Sequence, residues 1–237
     1  MPHWIFTGEY AERGQYHRHL DPHWSYYPTY LAKMRLVRQF LETLPSSAWV
    51  LDAGCGEGIL VEEYRSRGMH IYGLDLNFGM PGNCLGSVLY PPYADHTFDV
   101  VLFLDVIEHL SFPDQPRALA ELARVLKPSG YLMLSVPNLA HLASRWRFLL
   151  RGQLHRTAEI TKHPGDRPIA EHLTLLRNAG FRLSWRRGIT LTVPYLMTGL
   201  VWHNPERWLW LHRLLDQIAP ADLCLVNVIL AQKVTSS

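Results

Sequence analysis

Val50-Leu51-Asp52-Ala53-Gly54-Cys55-Gly56-Glu57-Gly58 is the stretch that decides the fold. A short apolar run enters it, three glycines alternate through it, and a helix-like segment, Ile59 to Arg67, leaves it. Strand, glycine-rich turn and helix in that order form a backbone against which a ligand presses, because glycine turns sharply and carries no side chain. A second apolar run ends on an acid, Ile71-Tyr72-Gly73-Leu74-Asp75, placed to grip ribose hydroxyls. The spacing is G-x-G-x-G and not the G-x-G-x-x-G of a dinucleotide fold. No Gly-Lys-Ser/Thr follows to hold phosphates, and Asp52 repels a pyrophosphate while attracting a cation.

Working outward, strands and helices alternate. Pro28 opens a helix to about Thr43, with Leu31, Met34, Leu36, Val37, Phe40 and Leu41 as its buried stripe. Trp49 to Ala53 is the first strand, Glu57 to Arg67 the first crossover helix, and Ile71 to Asp75 the second strand. Gly79, Pro81 and Gly82 oppose a full helix over Leu76 to Asn83, and a short strand is expected over Cys84 to Val88. The continuous apolar run Phe98 to Asp105 reads as a central parallel strand. Ser111, Pro113 and Asp114 make a capping-box pattern before a helix whose core face is Ala118, Leu119, Leu122, Ala123 and Leu126. A turn at Pro128-Ser129-Gly130 leads to a strand over Tyr131 to Val136. Leu139 to Arg151 reads as a basic amphipathic helix, and Asp166 as the cap of a helix from about Arg167 to Asn178. Phe181 to Arg187 and Leu223 to Lys233 are the last strands, separated by an insertion with a Trp-rich helix near Glu206 to Ile218. The pattern predicts an α/β fold: a Rossmann-like, mostly parallel sheet flanked by helices, with a helical cap and an antiparallel last strand. It is read as one domain, with an N-terminal lid and helix (1–47), a ligand-binding core (48–138) and cap segments (139–165 and 190–220).

The chain has 237 residues, 48% apolar, and a formal charge of only +2, too weak a field to imply nucleic acid. Cys55, Cys84 and Cys224 form no disulfide framework. Met1 to Tyr10 lacks a signal-peptide pattern, so a cytoplasmic location is expected. The uncharged run Gly188 to Asn204 contains Pro194 and Gly199 and falls short of the roughly 20 apolar residues of a membrane span.

From Trp49 to Val136 the chain resembles the class I S-adenosylmethionine (AdoMet)-dependent methyltransferases, above all the small-molecule branch with the quinone-biosynthesis enzymes. The motifs occur in family order: Val50 to Gly58, Gly73-Leu-Asp-Leu76, Phe98-Asp-Val-Val101, Asp105-Val-Ile-Glu-His-Leu110, Leu122 to Gly130, and Leu134-Ser-Val-Pro-Asn138. Asn178-Ala-Gly-Phe181 fits the turn into the sixth strand. The resemblance implies that Asp52, Gly54, Gly56 and Gly58 surround the methionine part of AdoMet, that Asp75 holds the ribose, and that Leu76 packs on the adenine. Ser87 stands where the family usually has an aspartate for the adenine amino group. Asp105 is expected below the cofactor.

Methyl transfer from a sulfonium is an in-line displacement, so alignment is the protein's main contribution, about 7–11 kcal/mol. A general base matters most for a hydroxyl acceptor, and His109 is the first candidate, with His163 and then His17 behind it. Asp105-x-x-Glu108-His109 also resembles the Glu-x-x-Glu-His of metal-using family members, with His163 or His141 as a further ligand, although a metal-free loop is the favoured reading. Arg145, Arg147, Arg151 and Arg156, interleaved with Trp146, Phe148, Leu149 and Leu150, describe a docked cap whose apolar face is core; peripheral membrane contact stays open. The expected partner is a small-molecule methyl acceptor, through an oxygen and lipophilic in character. The rivals are a metal-dependent RNA 2′-O-methyltransferase and a non-catalytic AdoMet-binding protein.

Overall fold

The structure, a computed structural model, describes residues 17–77, 82–194, 196, 201 and 203–234. The first sixteen residues, Gly79 and Pro81, and Tyr195 and Trp202 of the insertion lie outside the described residues. The chain runs α1 (Tyr27–Leu41), β1 (Trp49–Ala53), α2 (Ile59–Ser66), β2 (His70–Asp75), β3 (Asn83–Leu85), β4 (Phe98–Leu104), α3 (Asp114–Val125), β5 (Leu126–Pro137), α4 (Leu142–Arg151), α5 (Ile169–Asn178), β6 (Phe181–Leu191), α6 (Leu209–Ile218) and β7 (Cys224–Lys233).

The seven strands form one sheet in the order β3-β2-β1-β4-β5-β7-β6. The first five run parallel, and β7 lies antiparallel between β5 and β6. The order reverses between β1 and β4, which opens a crevice at their carboxyl ends, the place where such sheets bind ligands. Two apolar layers cover the sheet. On one face α1 and α2 bury Val37, Leu41, Leu60 and Val61 against Val50, Ile71, Val100 and Val228. On the other, α3 and α5 bury Leu119, Leu122 and Leu176 against Leu51, Val101, Leu132 and Ile229.

Several local expectations need correction. The inner stripe of α1 is Tyr30, Lys33, Met34, Val37 and Leu41, so Leu31, Leu36 and Phe40 sit only part-buried at its flank. The strand read over Cys84 to Val88 is the three-residue β3, because after Leu85 the chain leaves the sheet edge. The Ser111 hydroxyl bonds the Asp114 carboxylate at 2.6 Å and not a helix amide, so no capping box forms. Asp166 does not cap α5; the Asn138 carboxamide oxygen accepts the Ile169 N–H at 3.2 Å instead. β5 starts at Leu126, with a register irregularity opposite Phe98 to Val100 absorbing the Pro128-Ser129-Gly130 turn.

Candidate active site

The amides of the glycine turn lock it to β2 through one backbone carbonyl and one side-chain carboxylate. The Gly54 N–H donates to the Leu74 carbonyl at 2.7 Å, and the Gly56 N–H donates to Asp75 Oδ2 at 2.8 Å. Asp75 Oδ1 accepts the Asn77 N–H at 2.7 Å. Gly54 has φ +87°, and a Cβ there would lie 2.2 Å from Val106 Cγ2, so no other residue fits. Asp52, Gly54, Gly56, Asp75, Leu76 and Ser87 all line one cavity of about 730 Å³, within the usual range for small-molecule sites. Gly58 does not line it; with φ +72° it starts α2 from the left-handed region. Leu76 offers an exposed side chain. The Ser87 hydroxyl oxygen accepts the Leu89 N–H at 3.2 Å. Burial, then the charge of Asp75, push the Asp52 carboxyl up to about 7, with Lys33 opposing.

Asp105 follows β4 with φ +53°, a conformation a non-glycine residue adopts at a cost of about 1–3 kcal/mol. Its surroundings hold it there. Lys33 of α1 and the Ser135 hydroxyl both donate to its carboxylate, and the Tyr26 hydroxyl donates to Oδ2 at 3.1 Å. Burial alone would raise its pKa; the Lys33 ammonium and these donors bring it below the ordinary value. Asp105 faces the cavity but its oxygens are already engaged.

Beyond Asp105 a short 3₁₀ turn, Ile107–His109, brings Glu108, His109 and His163 together, with one candidate ligand atom from each within 4.8 Å of the others. The His109 Nδ1–H donates to the Lys162 carbonyl at 3.0 Å, which makes Nε2 the acceptor nitrogen of the neutral ring. His163 Nδ1 faces the Thr157 hydroxyl at 3.1 Å and Asp166 at 3.5 Å. The two imidazoles meet edge to face at 4.7 Å. Glu108 is buried, its Oε2 has no hydrogen-bond partner among the described residues, and burial followed by the Asp105 charge lifts its carboxyl to about 8.

That orphaned oxygen, with two imidazoles tethered through Nδ1, fits a divalent metal. The donor set is one carboxylate and two histidines. This differs from the expected pair of carboxylates, since Asp105 is spoken for, and it suits Zn²⁺, Mn²⁺ or Fe²⁺ better than Mg²⁺. His141 stands apart from the cluster: its Nε2–H donates to the His155 carbonyl at 3.0 Å and its Nδ1 accepts the Thr192 hydroxyl at 2.7 Å. Burial pushes its pKa down to about 4, so it stays neutral and saturated.

The roof over this end comes from two distant segments. Trp24, Tyr26 and Tyr30 stand on one side, and His155 to His163 on the other. The N-terminal strap is fastened by Glu57 of the glycine turn, whose carboxylate accepts the His17 and Arg18 amides at 2.9 and 2.8 Å, while Arg18 also pairs with Glu62. Among the described residues the 190–220 insertion contributes nothing to the cavity lining; α6 packs on β6 and α1. Sequence reasoning missed Lys33 and Glu57. Lys33 had a signal, a lysine at an inner-stripe position of α1; Glu57 had none.

The family model described as "Methyltransferase domain" matches residues 23–184. A tRNA (carboxymethyluridine(34)-5-O)-methyltransferase of Arabidopsis thaliana is 32% identical over 137 residues, covering 53% of this chain and 33% of that protein. A ubiquinone biosynthesis O-methyltransferase of Paraburkholderia xenovorans is 32% identical over 139 residues, covering 52% of this chain and 59% of that protein. The matched region thus spans only part of these relatives. The solved structure of a SAM-dependent methyltransferase from Methanosarcina mazei superposes with a TM-score of 0.56 at 18% identity, over 83% of this chain and 97% of that one, a likeness of fold.

Proposed function

This chain belongs to the methyltransferase-domain family, and from that premise we propose that it moves a methyl group from AdoMet to an oxygen of a small, lipophilic acceptor held against His109. The observation that carries the reading is the single cavity that joins Asp52, Gly54 and Asp75 at one end to His109 and His163 at the other, under a roof of Trp24, Tyr26 and Tyr30. Two relatives matched at 32% identity are named as O-methyltransferases.

Bound AdoMet supplies an electrophilic methyl on a sulfonium. The chain's own residues then divide the work. Asp75 grips the ribose, and its bond to the Gly56 amide ties that grip to the glycine turn. Asp52 offers a carboxylate to the cationic end of the cofactor. The aromatic roof excludes water and sandwiches an apolar acceptor. His109 Nε2 takes the hydroxyl proton as the acceptor oxygen forms its bond to carbon and the carbon–sulfur bond breaks. In place of that base role, His109 Nε2 would hold a divalent metal together with Glu108 and His163, and the metal would supply Lewis acidity toward the acceptor oxygen.

Incubation with methyl-labelled AdoMet and a set of phenols, followed by organic extraction, tests the reading. Label in the extracted small molecules supports it. Label in a tRNA pool, or in neither fraction with AdoMet bound, overturns it.

A further inference from the structure

Helix α4 runs Leu142–Arg151, and of its ten residues only Ser144 is buried. With about 100° of rotation per residue, Leu142, Trp146, Leu149 and Leu150 share one stripe, and Ser144 lies on the opposite side. The apolar stripe of this helix therefore faces away from the protein. Leu149 is 75% exposed and Leu150 55%. This contradicts the docked-cap expectation, under which these side chains were core.

Charge accompanies the stripe. Arg145 and Arg147 flank it, Arg151 ends the helix, and no Asp or Glu occurs from Leu139 to Ala158. We infer that α4 is an interfacial helix that seats this protein on an anionic lipid surface. Trp146, Leu149 and Leu150 enter the acyl boundary, Arg145 and Arg147 lie beside them at headgroup level with their apolar stems along the same boundary, and Arg151 adds its charge from the helix end. A nucleic acid would satisfy the arginines but leave Leu149 and Leu150 without an apolar partner. A second copy of the chain would bring three arginines against three arginines. The helix leads directly into His155 and Arg156 of the cavity wall, so docking sets the cavity beside the bilayer. The inference does not depend on the acceptor, because no methyl transfer enters its test.

The test is sedimentation of the full chain with phosphatidylcholine vesicles, with and without phosphatidylglycerol. The wild-type protein is expected to pellet with the anionic vesicles at low salt and be released at high salt. Trp146→Ser with Leu149→Asp, and separately Arg147→Glu with Arg151→Glu, should each lower the bound fraction about tenfold or more. Both pairs change exposed side chains, and unchanged AdoMet affinity by calorimetry confirms that each variant is folded. The inference is overturned if the wild-type protein stays in the supernatant with anionic vesicles, or if the Trp146/Leu149 variant pellets like wild type. It also fails if a tRNA pool binds through the arginines while vesicles do not. A dimer that falls apart on Trp146→Ser with Leu149→Asp, with no vesicle binding, would assign the stripe to self-association instead.

Discussion

The two ends of the cavity are built by opposite means. The end proposed for the cofactor is made of two short loops, Gly54 to Glu57 and Asp75 to Asn77, fixed by amide hydrogen bonds to the Leu74 carbonyl and the Asp75 carboxylate of β2. The acceptor end is assembled from pieces far apart in sequence: Tyr26 and Lys33 meet Asp105, and His109 meets Lys162 and His163. A wall fixed by local backbone geometry tolerates little change and needs little help. A wall fixed by side chains from three segments depends on each of them.

The sharpest way to break this contrast is His109→Ala. Turnover on a hydroxyl acceptor should fall about 10²–10⁴-fold with AdoMet affinity nearly unchanged. A metal-ligand role adds a second signature, loss of native activity on chelation and its return with Zn²⁺ or Mn²⁺. Near-native turnover in the mutant on a phenol that the wild-type enzyme methylates would leave His109 with neither role.

Lys33→Met attacks the long-range side alone. It strands the Asp105 carboxylate, still held at φ +53°, without its cation. Removing one partner of a buried pair costs about 3–5 kcal/mol, and the Asp105 side chain is 24% exposed, so the lower end is expected. Urea unfolding should show a loss near 3 kcal/mol, and a loss below about 1 kcal/mol would mean that Tyr26 and Ser135 suffice.

How much of this was legible before the structure follows the same division. Gly54, Gly56 and Asp75 could be picked out because they lie close in sequence, on the turn after β1 and at the end of β2, where amide hydrogen bonds join them. The parallel sheet was equally plain, since buried runs such as Phe98 to Leu104 have no other use. The acceptor end was legible only in pieces. His109 and His163 could be named, but not that Lys162 orients one while Thr157 and Asp166 face the other. That α1 delivers Lys33 to Asp105 was not legible, because nothing local to Asp105 reveals it. The outward stripe of α4 has the same periodicity as an inward one, and periodicity carries no sign; only packing tells which side faces the protein.

A milder probe of the local wall is Asp75→Ala, which removes a carboxylate that holds both the Gly56 and Asn77 amides. AdoMet binding should weaken by about 1.5–3 kcal/mol, the scale of hydrogen bonds to a charged group. Calorimetry reads it directly. An unchanged Kd would mean that the ribose is held elsewhere.

The smallest effect comes from pH and separates Asp52 from its neighbours. In the free protein burial, and after it the charge of Asp75, place its carboxyl near 7, against an ordinary value of 3.8. AdoMet brings positive charge, so binding favours the carboxylate and expels the proton. Affinity should therefore rise with pH up to about 7 and then level off, with Kd about tenfold weaker at pH 6 than at pH 8 for a single coupled proton. The sign reverses for the empty protein. A carboxyl raised on folding contributes stability that is complete below about 3.8 and lost as pH climbs through about 7. Thermal shifts should show the gain from AdoMet growing over the same range in which the contribution of Asp52 to the free protein declines. Asp52→Asn makes both effects testable. It should flatten the pH dependence of Kd, weaken binding most at pH 8, and make the empty protein more stable than wild type there. If Kd of the Asn variant keeps the wild-type slope between pH 6 and pH 8, the titrating group lies elsewhere in the cavity.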